Sequence, residues 1–262
     1  IILGLDYMPD RNKENTIYNV DGSNLDAIVE NNLFDGWNGE NELISIKSSR
    51  NILRHNCVVA APAASFNIRS GNNNLITGNW FANVGRANIS GHKNTIVFNY
   101  YGNGGGHSPW LLTNGISAHE GQRPGYEHLY VYPPAIDNIV EFNVVNRYRY
   151  ILQSPFELGG FAYTSSHPKG NTLRNNVFYS PEFSGTGITG GYKHVAQGMS
   201  EDRFRSVNRF GPNEIRNTQL PNASCGNAYL FEGPGDRNAS IQGHAGMLGG
   251  ERVIRAPSWW IQ

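Results

Sequence analysis

Glu40 and Glu42 are separated by one residue in Gly39-Glu40-Asn41-Glu42. On an extended strand both carboxylates share a face, and two carboxylates so close invite a hard cation with oxygen ligands, Ca²⁺ above all. The same pair also reads as a solvated strand edge. A continuous strand would turn both Glu to the side of Ile44 and Ile46, and buried unpaired carboxylates are untenable, so a corner is expected between Glu42 and Ile44. Lys47 follows, and Arg69 comes 22 residues later. Brought together, these two cations repel unless an anion lies between them. Other motifs fall away. His119-Glu120 lacks the second His of a zinc protease, and Gly102-Asn103-Gly104-Gly105-Gly106 lacks the Gly-Lys-Ser/Thr of a phosphate loop. The sequons at Asn88, Asn222 and Asn238 are what an Asn-rich chain contains by chance.

Lys47 and Arg69 meet only if the chain repeats with their spacing, and it does. An Asn, a short aliphatic or β-branched run and a second Asn five positions on recur as Asn51…Asn56, Asn74…Asn79, Asn94…Asn99, Asn138…Asn143, Asn171…Asn176 and Asn222…Asn227. Ala27…Asn32 is an earlier copy without the first Asn. Successive copies are 24, 23, 20, 44, 33 and 51 residues apart. The short steps fit one coil of a solenoid; the long ones fit coils with insertions, at about 100–135 and 179–220. Strand-like runs such as Leu43-Ile44-Ser45-Ile46 separate the Asn pairs, no convincing amphipathic helix joins them, and Ile, Val, Phe and Asn stand where a leucine-rich repeat wants Leu. The expected fold is an all-β parallel β-helix. Asn suits its corners by tolerating the left-handed conformation and by stacking amide on amide, so these Asn are structural. Aligning Ile46-Lys47, Ile68-Arg69 and Ile89-Ser90, with Ile inward, puts Lys47 and Arg69 one rung apart on the outer surface.

Composition bounds the alternatives. The 262 residues are enough for one large domain, and we read 1–262 as a single domain. With 33 Asn and 31 Gly, almost a quarter of the chain is helix-disfavouring, which excludes a helical bundle. Lys and Arg (21) balance Asp and Glu (21), so no nucleic-acid footprint or polybasic membrane patch exists. No apolar run is long enough to span a bilayer. Cys57 and Cys225 form no metal or redox motif and are expected as free core thiols.

The run Glu40-Asn41-Glu42-Leu43-Ile44-Ser45-Ile46-Lys47-Ser48, with Phe66-Asn67-Ile68-Arg69-Ser70-Gly71 one coil on, resembles the core signature of polysaccharide lyase family 6, the alginate lyase and chondroitinase B family. Arg11-Asn12-Lys13-Glu14-Asn15-Thr16-Ile17 resembles the segment that supplies the family's Asn calcium ligand, and Gly85–Gly91 and Gly125-Tyr126-Glu127 resemble later motifs. Two positions depart from the pattern. Ser70 stands where the family usually has His, and Asn88 where Arg is frequent.

The resemblance implies a right-handed parallel β-helix and a secreted or periplasmic lyase acting on an anionic, uronic-acid polysaccharide, alginate before dermatan sulfate. It implies Lys47 as base and Arg69 at the glycosidic oxygen, where a guanidinium stabilises by hydrogen bonding and scarcely gives up its proton. It implies Ca²⁺ held by Asn12, Glu40 and Glu42, and substrate contacts from Ser70, Arg86, His92 and Tyr126. Family members carry coils before this segment, so another chain or segment is expected over the N-terminal end of the solenoid. Two other readings stay open: a pectate-lyase-like or glycoside-hydrolase β-helix, and a non-catalytic β-helix that binds polysaccharide.

Overall fold

The computed structural model describes residues 1–3, 24–37, 39, 42–59, 61, 64–102, 109–113, 115–117, 130–146, 152–153, 164–166, 168–179, 192–193 and 206–216. Short strands pair in parallel with the strands one coil away, building three seven-stranded sheets. The first contains Ile2–Leu3, Glu42–Ile46, Ser65–Ile68, Ala87–Ile89, Trp110–Leu112, Leu152–Gln153 and Tyr192–Lys193. The second contains Ile28–Glu30, Ile52–Arg54, Leu75–Thr77, Thr95–Val97, Ile139–Glu141, Thr172–Arg174 and Arg209–Phe210. The third contains Leu33–Phe34, Cys57–Val58, Trp80–Ala82, Tyr100–Gly102, Val144–Asn146, Val177–Tyr179 and Glu214–Arg216. This is the parallel β-helix that the repeat implies. No helix among the described residues is long and apolar enough to cross a membrane.

Alternation along each strand sends one side chain inward, and in-register pairing stacks those side chains into columns. Ile46, Ile68, Ile89 and Leu112 form one. Leu53, Ile76, Ile96, Val140 and Leu173 form the second, and Val58, Phe81, Tyr101, Val145 and Phe178 the third. All belong to one buried core, each side chain contributing roughly 1.5–3 kcal/mol. Phe81 stacks on Tyr101 with centroids 5.2 Å apart, and Trp110 meets Tyr101 edge-on at 5.5 Å.

Corners are tied by two amide ladders. Asn74 Oδ1 accepts from both the backbone N–H and the Nδ2 of Asn51 at 2.9 Å. The same double bond joins Asn74 to Asn94, Asn94 to Asn138, Asn138 to Asn171 and Asn171 to Asn208. The second ladder runs Asn32, Asn56, Asn79, Asn99, Asn143, Asn176, Asn213. Ala27, the copy without an amide, still donates its N–H to Asn51 Oδ1.

From Ala27 to Asn176 the left-handed residue is the one before the ladder position, not the ladder residue itself: Asp26, Asn31, Arg50, His55, Asn73, Lys93, Phe98, Asp137, Phe142 and Asn175 have φ between 53° and 63°, and Gly78 and Gly170 are likewise left-handed before Asn79 and Asn171. Each such non-glycine residue costs about 1–2 kcal/mol, which two ladder bonds at ~1 kcal/mol each offset. The final described rung is Asn208…Asn213, whose Arg-Phe-Gly-Pro interior lacks the aliphatic run of the other copies, while Asn222…Asn227 lies outside the described residues. Neither long insertion stands wholly apart from the stack. Trp110–Leu112 pairs with Ala87–Ile89, Tyr192–Lys193 with Leu152–Gln153, and Arg209–Phe210 and Glu214–Arg216 with the preceding coil. Gly115–Ser117, Tyr130–Tyr132 and Thr164–Ser166 form a separate antiparallel sheet. Cys57 is disulfide-bonded, not free. Alternation beside inward Val58 turns it to the outer surface, against a second apolar cluster that includes Trp80 and Tyr100; Cys225 lies outside the described residues.

Asn99→Ala strands the buried backbone N–H of Asn79, which costs about 1–3 kcal/mol, and removes the bonds that Asn99 Nδ2 makes to Ile76, Val97 and Asn143, while Asn79 Nδ2 keeps the Leu53 and Thr77 carbonyls. The expected loss is about 3 kcal/mol in urea unfolding; a loss under ~0.5 kcal/mol would show that the ladder merely accompanies the fold.

Candidate active site

The first sheet carries the predicted site. Backbone bonds pin its outward residues rung by rung: Lys47 N–H donates to the Leu3 carbonyl at 2.7 Å, Arg69 N–H to Ile46 at 2.8 Å, Ser90 N–H to Ile68 at 2.8 Å and Thr113 N–H to Ile89 at 3.0 Å. With Ile46, Ile68 and Ile89 inward, Lys47, Arg69, Ser90 and Thr113 form one outer column, with neighbouring rungs about 4.8 Å apart. The Ile-Lys, Ile-Arg, Ile-Ser alignment read from the sequence is therefore the register of the sheet. Lys47 and Arg69 are both half-buried.

Glu42 reaches the same surface by a bulge and not by a corner. Glu42 opposes Ser65 while Ile44 opposes Phe66, so two residues of the Glu42–Ile46 strand span one step of its neighbour. The extra residue, Leu43, is buried with Ile44, and the carboxylate is released outward without breaking the strand. Glu42 Oε1 lies 3.3 Å from Arg69 Nη1, the two side chains being 26% and 28% exposed. The repulsion between stacked cations is thus relieved on one side by a carboxylate.

The remaining predicted residues fall into three groups. Ser70 Oγ donates back to the Lys47 carbonyl at 3.4 Å, so it buttresses the rung at the end of its strand. Arg86 precedes Ala87, which faces Phe66, and so shares the row of Ser65 and Glu42 at the far end of the strands from Arg69; burial lowers its pKa from the usual arginine range. His92 sits two residues beyond Ser90 on a short ladder with Ala135–Ile136, its N–H bonded to Asn72 Oδ1 at 2.7 Å. Asn12, Glu40 and Tyr126 lie outside the described residues. Among the described residues no three His, Cys, Asp or Glu gather as a metal site.

A second outward row escaped the sequence reading although the same register contains it. Ser45, Asn67 and Asn88 stack beside the Lys47–Arg69–Ser90 column. Asn88 Nδ2 donates to Asn67 Oδ1 at 2.5 Å, and Ser90 Oγ and Thr113 Oγ1 share a proton-bearing contact at 2.5 Å. Ser45 Oγ and Asn88 Oδ1 are buried with no hydrogen-bond partner among the described residues. Past Arg69 the column continues with Ser90 and Thr113, so among the described residues its positive charge is confined to two rungs. That arrangement can seat one carboxylate and present an amine and a guanidinium to the atoms beside it.

The model of the family described as chondroitinase B matches residues 15–148. No curated protein matches the chain. Among solved structures, the PL6 family alginate lyase AlyGC is 24% identical with a TM-score of 0.55, over 74% of this chain and 25% of its own. A PL6 family polysaccharide lyase from Pseudopedobacter saltans is 20% identical with a TM-score of 0.57, over 74% of this chain and 49% of its own. A PL6 alginate lyase in complex with a trisaccharide is 16% identical with a TM-score of 0.51, over 74% and 43%. At these identities the likeness is one of fold, and the chain spans between a quarter and a half of the length of these structures.

Because both members of the Glu42–Arg69 pair are partly exposed, Glu42→Gln should cost no more than about 1 kcal/mol. Urea unfolding checks this; a loss above ~2 kcal/mol would mark the pair as a structural keystone and not a feature of the site.

Proposed function

The chain belongs to the chondroitinase B family, and from that premise we propose that it cleaves a uronic-acid polysaccharide, alginate before dermatan sulfate, by β-elimination. One observation carries the reading: Lys47 and Arg69 stand on adjacent rungs of the first sheet, facing outward. Elimination begins by removing the proton at C5, beside the C6 carboxylate, and ends with departure of the C4 oxygen. A base and a hydrogen-bond donor about one rung apart suit those two positions. Lys47 accepts the C5 proton. Arg69 donates hydrogen bonds to the departing oxygen, and water supplies the proton that a guanidinium retains.

Glu42 offers an outward carboxylate, and together with Asn12 and Glu40 it would make an all-oxygen donor set of the kind Ca²⁺ prefers. When bound by these three residues, calcium would supply charge neutralisation at the C6 carboxylate, where negative charge builds during proton removal. Arg69, now 3.3 Å from Glu42, would share that carboxylate.

Alginate is favoured by the alginate lyases among the solved structures of like fold. A secreted or periplasmic address is supported by the disulfide at Cys57, since such bonds are rare in reducing compartments. Another chain or segment over the N-terminal edge is supported by Ile2, Ile28 and Leu33, which begin the three sheets and are 60%, 54% and 67% exposed.

Lys47→Ala should lower formation of unsaturated product by at least ~100-fold with the melting temperature unchanged; retention of a tenth of the rate would remove Lys47 as base. Arg69→Lys should be nearly as damaging as Arg69→Ala, because a point charge does not replace the planar fork. EDTA should lower both the melting temperature and the rate, and added calcium should restore both. If EDTA changes neither, Glu40 and Glu42 are a solvated edge.

A further inference from the structure

The second sheet turns a different face to solvent from the one that carries Lys47 and Arg69, and that face holds an open groove of about 530 Å³. Its size falls within the ~300–1,000 Å³ of small-ligand sites. Ile139 and Thr172 lie on its floor, with Glu141, Arg174, Asp137 and Arg209 around them.

These charged groups are held in place. Glu141 points outward from its strand yet is 1% exposed, and its carboxylate accepts from Arg174 Nε at 2.6 Å. Burial raises the Glu141 pKa and Arg174 opposes that rise. The bond fixes the plane of the guanidinium, while its two terminal NH₂ groups make no hydrogen bond among the described residues and the side chain stays 43% exposed. Two glycines make room. A Cβ on Gly211 would fall 2.5 Å from the Arg174 Cβ, and one on Gly170 would fall 2.0 Å from Asp137 Oδ1. Arg209 is exposed beside Thr172, and neither its side chain nor that of Asp137 has a hydrogen-bond or ion-pair partner among the described residues. The equivalent pair nearer the start of the solenoid, Arg54 and Glu30, has both members about equally exposed at 39% and 38%.

Taken singly, an Arg–Glu pair on a sheet surface is ordinary. Here a pre-oriented guanidinium, a second arginine, an unpaired carboxylate, a hydroxyl and an aliphatic floor converge on one cavity. Two guanidinium groups recognise a carboxylate, Asp137 accepts from hydroxyls, and Ile139 offers the apolar contact that the C–H face of a sugar ring needs.

We infer that this groove is a second binding site for an acidic sugar residue, which holds a polyuronate on a face of the solenoid separate from the Lys47–Arg69 column. The inference rests on the reading of the protein as one that handles uronate polymers, and the test separates the two. The Lys47→Ala/Arg69→Ala double variant, stripped of the catalytic cations, is run through native gels containing alginate or, as a control, uncharged dextran. It should be retarded by alginate alone. Adding Arg209→Ala or Asp137→Asn should weaken that affinity at least ~5-fold, whereas Arg209→Lys should keep most of it. Both changes leave the Glu141–Arg174 pair intact, and an unchanged melting temperature confirms the fold. Retardation that is absent, or indifferent to these variants, overturns the inference and leaves a structural ion pair only. If the wild-type chain makes no unsaturated product yet groove-dependent retardation persists, the lyase reading fails and the groove stands. Turnover with groove-independent retardation gives the reverse.

Discussion

The acceptance of two N–H bonds by one amide oxygen, repeated from coil to coil, is the constraint on which the rest of this molecule depends. A solenoid has no central nucleus, since each coil meets only its neighbours. Register must be set afresh at each rung, and a slip of one residue would exchange the inward and outward side chains of a strand. The double bond from Asn79 to Asn99, and its counterparts, leaves no such freedom. Once register is fixed, Ile46, Ile68 and Ile89 stack inward, and Lys47, Arg69 and Ser90 must stack outward. The site is thus a by-product of corner chemistry at some distance from it.

Fold and ladder were legible because they rest on residue identity repeated at intervals. Asn at both ends of a five-residue step is visible in a bare sequence, and so are the Ile-Lys and Ile-Arg pairs that reveal the outer column. What was not legible depends on exceptions to a period. The bulge at Leu43 replaces an expected corner because an aliphatic residue can be buried at either phase of the strand. Left-handed residues such as Lys93 and Phe142 have side chains with no turn signature. Asn208…Asn213 forms a rung although Gly211 and Pro212 interrupt the aliphatic run that marks the other copies. Whether Cys57 is free depends on chain far away in sequence. The neutral row Ser45, Asn67, Asn88 shares the register of the charged column, but uncharged side chains at these positions carry no signal that distinguishes a site from a solvated strand.

At the site itself, magnitudes separate what folds the chain from what serves chemistry. The Glu42–Arg69 pair is partly exposed and contributes little to stability. Glu141–Arg174 is different, since a carboxylate sealed from water would be costly without its partner. The two pairs stand on different sheets of one solenoid: in one the carboxylate can be shared with a ligand, in the other it is committed to orienting a guanidinium.

The ladder steps vary in length while the bonds do not. Asn74 to Asn94 takes 20 residues and Asn94 to Asn138 takes 44, yet both links close at 2.9 to 3.0 Å. Contour length between rungs is thus decoupled from the geometry of the floor. In such a scaffold the walls beside a groove are free to lengthen, shorten or be exchanged, one loop at a time, while the floor keeps its spacing. Diversification by loop replacement is a property of the corner amides, and it makes the chain a natural host for grafted segments.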